Sequence, residues 1–259
     1  MISIRRARPA IAEMAVERID ALADAARTAG RRGIPRFTRF LDPAEAEAAR
    51  RLARAEGVVC TLWGGYEDAE RAIACFHPLD ETVDASQFPL VCLHSRILTR
   101  YGTLTHRDLL GAFMALGLTR ACIGDMIIRD ADAYLFATEE MAPYIASALN
   151  SAGRVSLSFS ILDEIPPMPK PSGTTFQSVV SSLRLDAVLA CAYRLSRTEA
   201  AECIRSGLVK VDHLPCERVD APLHEGALLS LRGRGRTRLC SIGGTTRKQR
   251  IEITIFRYE

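Results

Sequence analysis

Four arginines, Arg232, Arg234, Arg236 and Arg238, alternate with Gly233, Gly235 and Thr237 close to the C-terminus. In an extended chain every second side chain leaves on the same face, roughly 6.5 to 7 Å apart, so the spacing predicts a row of cations along one edge. Guanidinium forks bind phosphate oxygens bidentately, and glycines let the backbone approach a ligand closely, so the chemistry expected is the holding of a polyanion. A solvated arginine face, with the glycines marking a hairpin or bulge, competes for the same residues. Lys210, Arg247, Lys248 and Arg250 add charge from flanking segments and tip the balance towards RNA.

Other fragments that could carry chemistry are weaker. The eight cysteines, at 60, 75, 92, 122, 191, 203, 216 and 240, form no CxxC pair and read as small buried hydrophobes. The five histidines are dispersed, none with a cysteine or second histidine at ligand spacing, so neither a metal site nor a cofactor is expected. His106-Arg107-Asp108 shares its letters with a kinase catalytic loop, but the asparagine expected after the aspartate is missing and no glycine-rich phosphate loop precedes it. Thr105 or His106 instead begins a helix whose Leu109, Leu110, Phe113 and Leu116 face inward. Trp63-Gly64-Gly65-Tyr66 could stack on bases. A strand end and turn with a core tryptophan is the favoured reading there.

The cations need elements to position them. Ser196 followed three residues later by Glu199 forms a capping box, so a helix begins near Arg197. Its apolar positions are Ala200, Cys203 and Ile204, and Gly207 follows as its cap, which puts Arg197 and Arg205 on a shared outward side. Ahead of it, Leu185, Val188, Leu189 and Ala192 make a second helical stripe, with Arg184 at its entry and Tyr193 and Arg194 at its exit. Two short helices thus meet at a tight corner. LVKV, carrying Lys210, then alternates like a strand, HLP turns, and GALLSLRGRGRTRLCSI reads as two further strands.

This order of elements resembles the small RNA-binding domain of the ribosomal S-four type, or αL fold. Arg184, Leu185, Asp186, Leu189, Ser196, Arg197, Ala200, Ile204, Gly207, Val209, Val211 and Gly226 match its pattern. The resemblance implies that the paired helices and the following strand form the RNA face, which assigns RNA contact to Arg184, Ser196, Arg197, Arg205 and Lys210. Asp212 and His213 depart from the Asn and Gly common after the strand, and Ala227 stands where an Asp is usual.

The charge is uneven. Residues 171–259 hold 14 Lys and Arg against 9 Asp and Glu, whereas residues 1–170 hold 20 against 22. The segment IPPMPKPSGTT, residues 165–175, reads as a semi-rigid linker. Before it, residues 1–56 read as helices, with Asp42 as N-cap, Pro43 at the first helical position and Gly57 at the end. Residues 57–164 then alternate: VVCTLWGGY as strand, EDAERAIACF as helix, FPLVCLHSRI as strand, HRDLLGAFMALG as helix, GDMIIRDADAYLFAT as two strands, APYIASALNSAG as helix and RVSLSFSIL as a last strand. The expected fold class is α+β: a helical segment at 1–56, a ferredoxin- or RRM-like α/β sandwich at 57–164, the linker, and an S-four type domain at 176–259. The basic N-terminus runs into an amphipathic stretch carrying acids, which supports neither a signal peptide nor a membrane span, and a cytoplasmic protein is expected.

FTRFLDPAEA, GGYEDAERAIACF, the stretch from Thr105 to Asp125 and the closing G.GR...I.G.T.K.R segment extend the resemblance over nearly the whole chain, to the bacterial YlmH family, also called RqcP. That resemblance implies a non-catalytic factor of ribosome-associated quality control. Its partners would be large-subunit ribosomal RNA, tRNA and an RqcH-type factor that extends the stalled chain with alanine. An alternative is an RNA-modifying enzyme, since S-four domains are often fused to pseudouridine synthases whose catalytic aspartate lies in an RLD motif. Asp186 would be that residue. Only about 70 residues follow it, fewer than a typical catalytic domain of ~100 residues or more.

Overall fold

The computed structural model describes residues 3–97, 102–168, 173–246 and 248–258, with side chains from residue 17 onward. The chain forms two compact units, Met1–Pro169 and Lys170–Glu259.

The first unit opens with α1 (Ser3–Arg32), β1 (Arg36–Leu41), α2 (Pro43–Glu56), β2 (Val59–Trp63) and β3 (Ala72–His77). Helix α2 starts where local chemistry requires it. Asp42 Oδ1 accepts the amides of Ala44 and Glu45 at 2.9 Å, and Glu45 Oε2 accepts the Asp42 amide at 2.8 Å. Two orphan ends are thereby satisfied reciprocally. The three strands pair antiparallel in the order β1-β3-β2. Leu22, Ala26 and Ala29 of α1 and Ala46, Ala49 and Ala53 of α2 pack with Ala74 and Phe76 on one face of that sheet.

Two expectations fail in this part. Residues 1–56 are not purely helical, because Arg36–Leu41 is a strand paired with β3, so this sheet joins residues on both sides of position 56. The helix expected within residues 67–76 is instead a loop leading into β3, all six of whose residues are buried. A strand buried on both faces loses the polar alternation by which strands are recognised.

The unit continues with β4 (Leu90–Arg96), α3 (His106–Ala115), β5 (Ile123–Arg129), β6 (Asp132–Thr138), α4 (Ala142–Ala148), the short pair β7 (Ser151–Ala152) and β8 (Val155–Ser156), and β9 (Ser160–Ile161). Helix α3 is capped by Thr105, whose Oγ1 accepts the Asp108 amide at 3.2 Å. The antiparallel sheet order β5-β6-β4-β9, threaded as βαββαβ, is the split βαβ arrangement. It begins at Leu90 rather than at residue 57. Leu109, Phe113, Ile145 and Leu149 of its helices pack on one face, against Leu93, Leu135 and Ala137. On the other face Cys92 and Phe136 meet Phe40, Ile73 and Cys75 of the first sheet. The two sheets therefore lie back to back, each with helices outside.

The seam between them is tight. A Cβ on Gly124 would lie 2.6 Å from Phe40 Cε1 and 3.0 Å from Phe136 Cβ. Next to it, Asp125 Oδ2 accepts the Tyr66 hydroxyl at 2.8 Å and the Glu70 amide at 2.7 Å, while Oδ1 accepts the Arg71 amide at 3.1 Å. Much of the Thr105–Asp125 motif is thus occupied in helix capping and in joining two sheets.

The second unit consists of β10 (Gly173–Val180), α5 (Leu185–Tyr193), α6 (Arg197–Arg205), β11 (Val209–Val211), β12 (Leu214–Pro215), β13 (Leu228–Leu231), β14 (Gly235–Thr245) and β15 (Ile251–Tyr258). Its six strands run in the order β10-β15-β14-β13-β11-β12. Residues 169–172 of the expected linker lie outside the described residues, and residues 173–175 belong to β10, paired with β15. Leu185, Val188, Leu189, Ala200 and Ile204 of the two helices pack against Val209, Leu229, Leu231, Leu239, Ile253 and Ile255. Both helices lie on one face of this sheet. Asp212 and His213 turn the chain between β11 and β12 at φ 47° and 68°. Both take the left-handed conformation in which Asn and Gly are more at ease, so the hairpin survives the departure at a local cost.

Candidate nucleic-acid interface

The corner between α5 and α6 is built around one buried acid. Asp186, 6% exposed, receives Arg184 Nε on Oδ1 at 3.3 Å and Arg197 Nη2 on Oδ2 at 2.5 Å. Arg197 Nη1 also donates to Ser181 Oγ at 3.3 Å. Burial pushes the Asp186 carboxyl up, but the hydrogen bonds and charges of Arg197 and Arg184 outweigh it and hold it below its ordinary value. Each arginine keeps about half its side chain in solvent, at 47% and 49% exposure. Asp186 therefore anchors two cations by one end and presents the other end outward.

Ser196 caps α6: its Oγ accepts the Glu199 amide at 3.1 Å, and Glu199 Oε2 accepts the Ser196 amide at 2.8 Å. These bonds hold the Glu199 carboxyl below its ordinary value, and the charge of Arg234 lowers it further, which puts Arg234 near the start of α6. Arg232 and Arg234 are exposed in the turn between β13 and β14, where the Arg234 amide closes on Leu231 O at 2.9 Å. Tyr193 Oη, 3.1 Å from Leu229 O and 3.0 Å from Gly235 O, ties the end of α5 to this hairpin. Arg184, Arg197 and Arg234 thus gather near the corner, and Arg205 is exposed at the far end of α6.

The single row of four arginines does not form. Gly233 and Gly235, at φ 81° and 83°, bend the chain, so only Arg236 and Arg238 stand in a strand. Strand alternation directs these two away from the helices, because Thr237 and Leu239 between and beside them are buried. Lys210 is directed the same way, in a cross-strand line with Ser230 and Arg236. Arg236 Cζ lies 5.1 Å from the centroid of the Tyr258 ring, and Arg238 Cζ 6.0 Å from it. The sheet face opposite the helices is thus a second basic surface, with an aromatic component that sequence reading missed although IEITIFRY alternates plainly.

Lys248 and Arg250 belong to neither group. They are exposed in the turn between β14 and β15, at the opposite end of the eleven-residue β14 from Arg234, a separation of about 30 Å. Arg247 lies outside the described residues. In the first unit, Trp63 and Tyr66 are partly buried against the inter-sheet cluster, and Tyr66 stacks on Phe136 at 5.1 Å. They serve packing between sheets, as the favoured reading of that motif had it.

Residues 14–78 match a family model described as "YlmH, N-terminal", and residues 84–164 match one described as "Putative RNA-binding domain in YlmH". A curated protein of Bacillus subtilis (strain 168), "Ribosome-associated protein quality control protein P2", is 34% identical over 223 residues, covering 86% of this chain and 87% of its own length. The chain belongs to the YlmH family. A solved structure, "Cell division protein ylmH from Streptococcus pneumoniae", is 21% identical with a TM-score of 0.46, over 62% of this chain and 93% of that one. The YlmH segment 84–164 encloses the split βαβ sheet, and the segment 14–78 encloses the three-stranded one. The segment described as RNA-binding carries 6 Lys and Arg against 9 Asp and Glu, so its overall charge does not mark it as a binder of RNA.

Proposed function

We propose that this YlmH-family chain is a non-catalytic RNA-binding factor of ribosome-associated quality control. It binds large ribosomal subunits that still carry peptidyl-tRNA and supports alanine tailing by an RqcH-type partner in the cytoplasm. The observation that carries the reading is the likeness, over 86% of the chain, to a protein named for ribosome-associated quality control. The second unit acts as an S-four type module in this reading. Arg184, Ser196, Arg197, Arg205, Arg232 and Arg234 approach RNA from the helix corner and its adjoining turn, and Lys210 and Arg236 from the open sheet face. Lys248 and Arg250 contact a separate stretch of phosphates. Among the described residues no helix is long and apolar enough to cross a membrane.

The engagement of Asp186 favours this over RNA modification, because both of its oxygens are held by guanidinium groups. Density-gradient sedimentation of cell extracts at moderate salt tests the interface. Wild-type protein comigrates with large subunits, and the Arg205→Ala/Arg234→Ala double variant, altered only at exposed side chains, stays near the top. Comigration of the variant would show that the assigned RNA face is wrong. Sequencing of RNA recovered with the protein should return large-subunit RNA and tRNA with little small-subunit RNA. New pseudouridine in RNA that depends on Asp186 would overturn the non-catalytic reading.

A further inference from the structure

The four-stranded sheet of the first unit is covered unequally on the face that points away from α3 and α4. Along β4 and β6 that face carries the cross-strand pairs Cys92 with Phe136, His94 with Tyr134, and Arg96 with Asp132. The first pair is buried in the cluster shared with the three-stranded sheet. Farther along the strands, His94 and Tyr134 are half-buried and Arg96 is exposed. Arg129 of β5, opposite Asp132, is exposed beside them.

The two rings form a unit. Their centroids are 5.0 Å apart with planes inclined by 32°. Asp132 Oδ1 lies 2.8 Å from His94 Nε2 and fixes the orientation of the imidazole, whose side chain is 27% exposed. A sheet surface with aromatic rings flanked by arginines suits an unpaired nucleotide: the π-faces stack on a base of any identity, and the guanidinium groups meet the adjoining phosphates. An apolar partner helix would have to desolvate Arg96, Arg129 and Asp132 together, which is costly. A base-paired duplex offers no free base face to the rings. Residues 84–164, which contain the whole patch, are those matched by the model described as RNA-binding, although their net charge is acidic. A local stacking site accounts for RNA binding by an acidic segment where a diffuse basic surface does not.

We propose that His94 and Tyr134, with Arg96 and Arg129, form a stacking site for single-stranded RNA, separate from the basic surfaces of the C-terminal unit. The proposal rests on the RNA-binding reading above and names where and how the first unit would take part in it. The full chain is titrated by fluorescence anisotropy with a labelled oligouridine of about 12 nucleotides and, in parallel, with a base-paired RNA hairpin. Tyr134→Ala should weaken oligouridine binding about tenfold while leaving hairpin binding unchanged, and Tyr134→Phe should retain both. Arg96→Ser with Arg129→Ser, at exposed positions that leave the fold intact, should weaken oligouridine binding and lower its salt slope by about 2. Oligouridine binding unaffected by any of these variants overturns the proposal. Binding of the hairpin but not of oligouridine by the wild type also overturns it, while leaving the C-terminal reading in place. Failure to bind either probe sinks both. If the variants abolish capture of an acidic protein from extract with oligouridine affinity unchanged, the patch docks protein and the stacking assignment is wrong.

Discussion

Asp125 in the first unit and Asp186 in the second are both held by three or fewer donors near the junction of elements, yet they do opposite work. Asp125 accepts a hydroxyl and two amides, all neutral, and burial raises its carboxyl above the ordinary value despite those bonds. Asp186 is more deeply enclosed, but two guanidinium groups bring it below that value. The first acid joins the loop of residues 64–71 to the sheet seam. The second holds two cations at a surface. The sheets repeat the contrast. In the first unit the face away from the helices is largely covered by another sheet, and in the second the corresponding face carries Lys210, Arg236 and Arg238. The difference teaches that the fold commits the aromatic glycine motifs of the first unit mostly to packing, and leaves the second unit a two-sided basic surface.

The largest test of that contrast is Asp186→Ala. Removing the buried acid leaves Arg184 and Arg197 without their shared partner, and the cost expected is about 3 kcal/mol, at the lower end for a broken buried pair because both arginines are half exposed. Hydrogen exchange of the α5 and α6 amides should accelerate, and affinity for a base-paired RNA hairpin should fall together with it. Exchange unchanged in α5 and α6 would mean that Asp186 does not organise the corner. Asp125→Ala is the counterpart in the first unit and should cost about 2 kcal/mol by stranding the Tyr66 hydroxyl and two amides. Trp63, the single tryptophan of the chain, lies in the adjoining cluster and reports the transition by its fluorescence. Hairpin affinity should not change. A loss of hairpin binding in Asp125→Ala would break the division of labour between the units.

Acid should separate the two aspartates by sign. The folded-state value of Asp186 lies below the 3.8 of an unperturbed aspartate, so its contribution is complete above 3.8 and is lost as pH falls through the folded value. Asp125 lies above 3.8, so the folded first unit holds its proton more tightly than the unfolded chain does. Its contribution grows as pH falls from above the folded value towards 3.8. The difference between wild type and Asp125→Asn in Trp63-monitored stability should therefore vary with pH in the opposite direction to the difference between wild type and Asp186→Asn in α5–α6 exchange. The same direction for both would show that at least one of these carboxyls is misassigned.

Much of the local structure was legible because it depends on side chains at fixed spacing. Asp42, Thr105 and Ser196 each cap a helix by reaching a backbone amide a turn away, and no distant residue is needed for that. Strands β1 and β3 were not legible. The first is six residues between two strong helices, and the second is buried on both faces and so shows no alternation. The arginine row was misread for a different reason: its spacing is the same whether the chain runs straight or turns, and Gly233 and Gly235 decide for a turn. Nor could spacing separate Lys210 from Arg197. Which face each occupies is set by the packing of α5 and α6 on the sheet, and that is a tertiary fact.

The smallest effect sharpens the contrast most, because it separates binding from stability. Lys210 is exposed in β11 and shares its outward line with Ser230 and Arg236. Adjacent strands are about 4.8 Å apart, so the lysine and Arg236 stand about 10 Å apart, within reach of neighbouring phosphates of one strand. Lys210→Ala should change stability by less than about 0.5 kcal/mol, since it removes no buried partner. It should weaken binding of the RNA hairpin only a few-fold and lower the slope of log affinity against log salt by about 1, the signature of one lost phosphate contact. An unchanged slope with intact stability would remove the open sheet face from the RNA surface and leave binding to the helix corner alone. The corresponding positions of the first unit's covered face behave otherwise. At Gly124 a single added methyl would sit 2.6 Å from Phe40 Cε1, so Gly124→Ala should destabilise the first unit by about 2 kcal/mol without altering hairpin affinity or its salt slope.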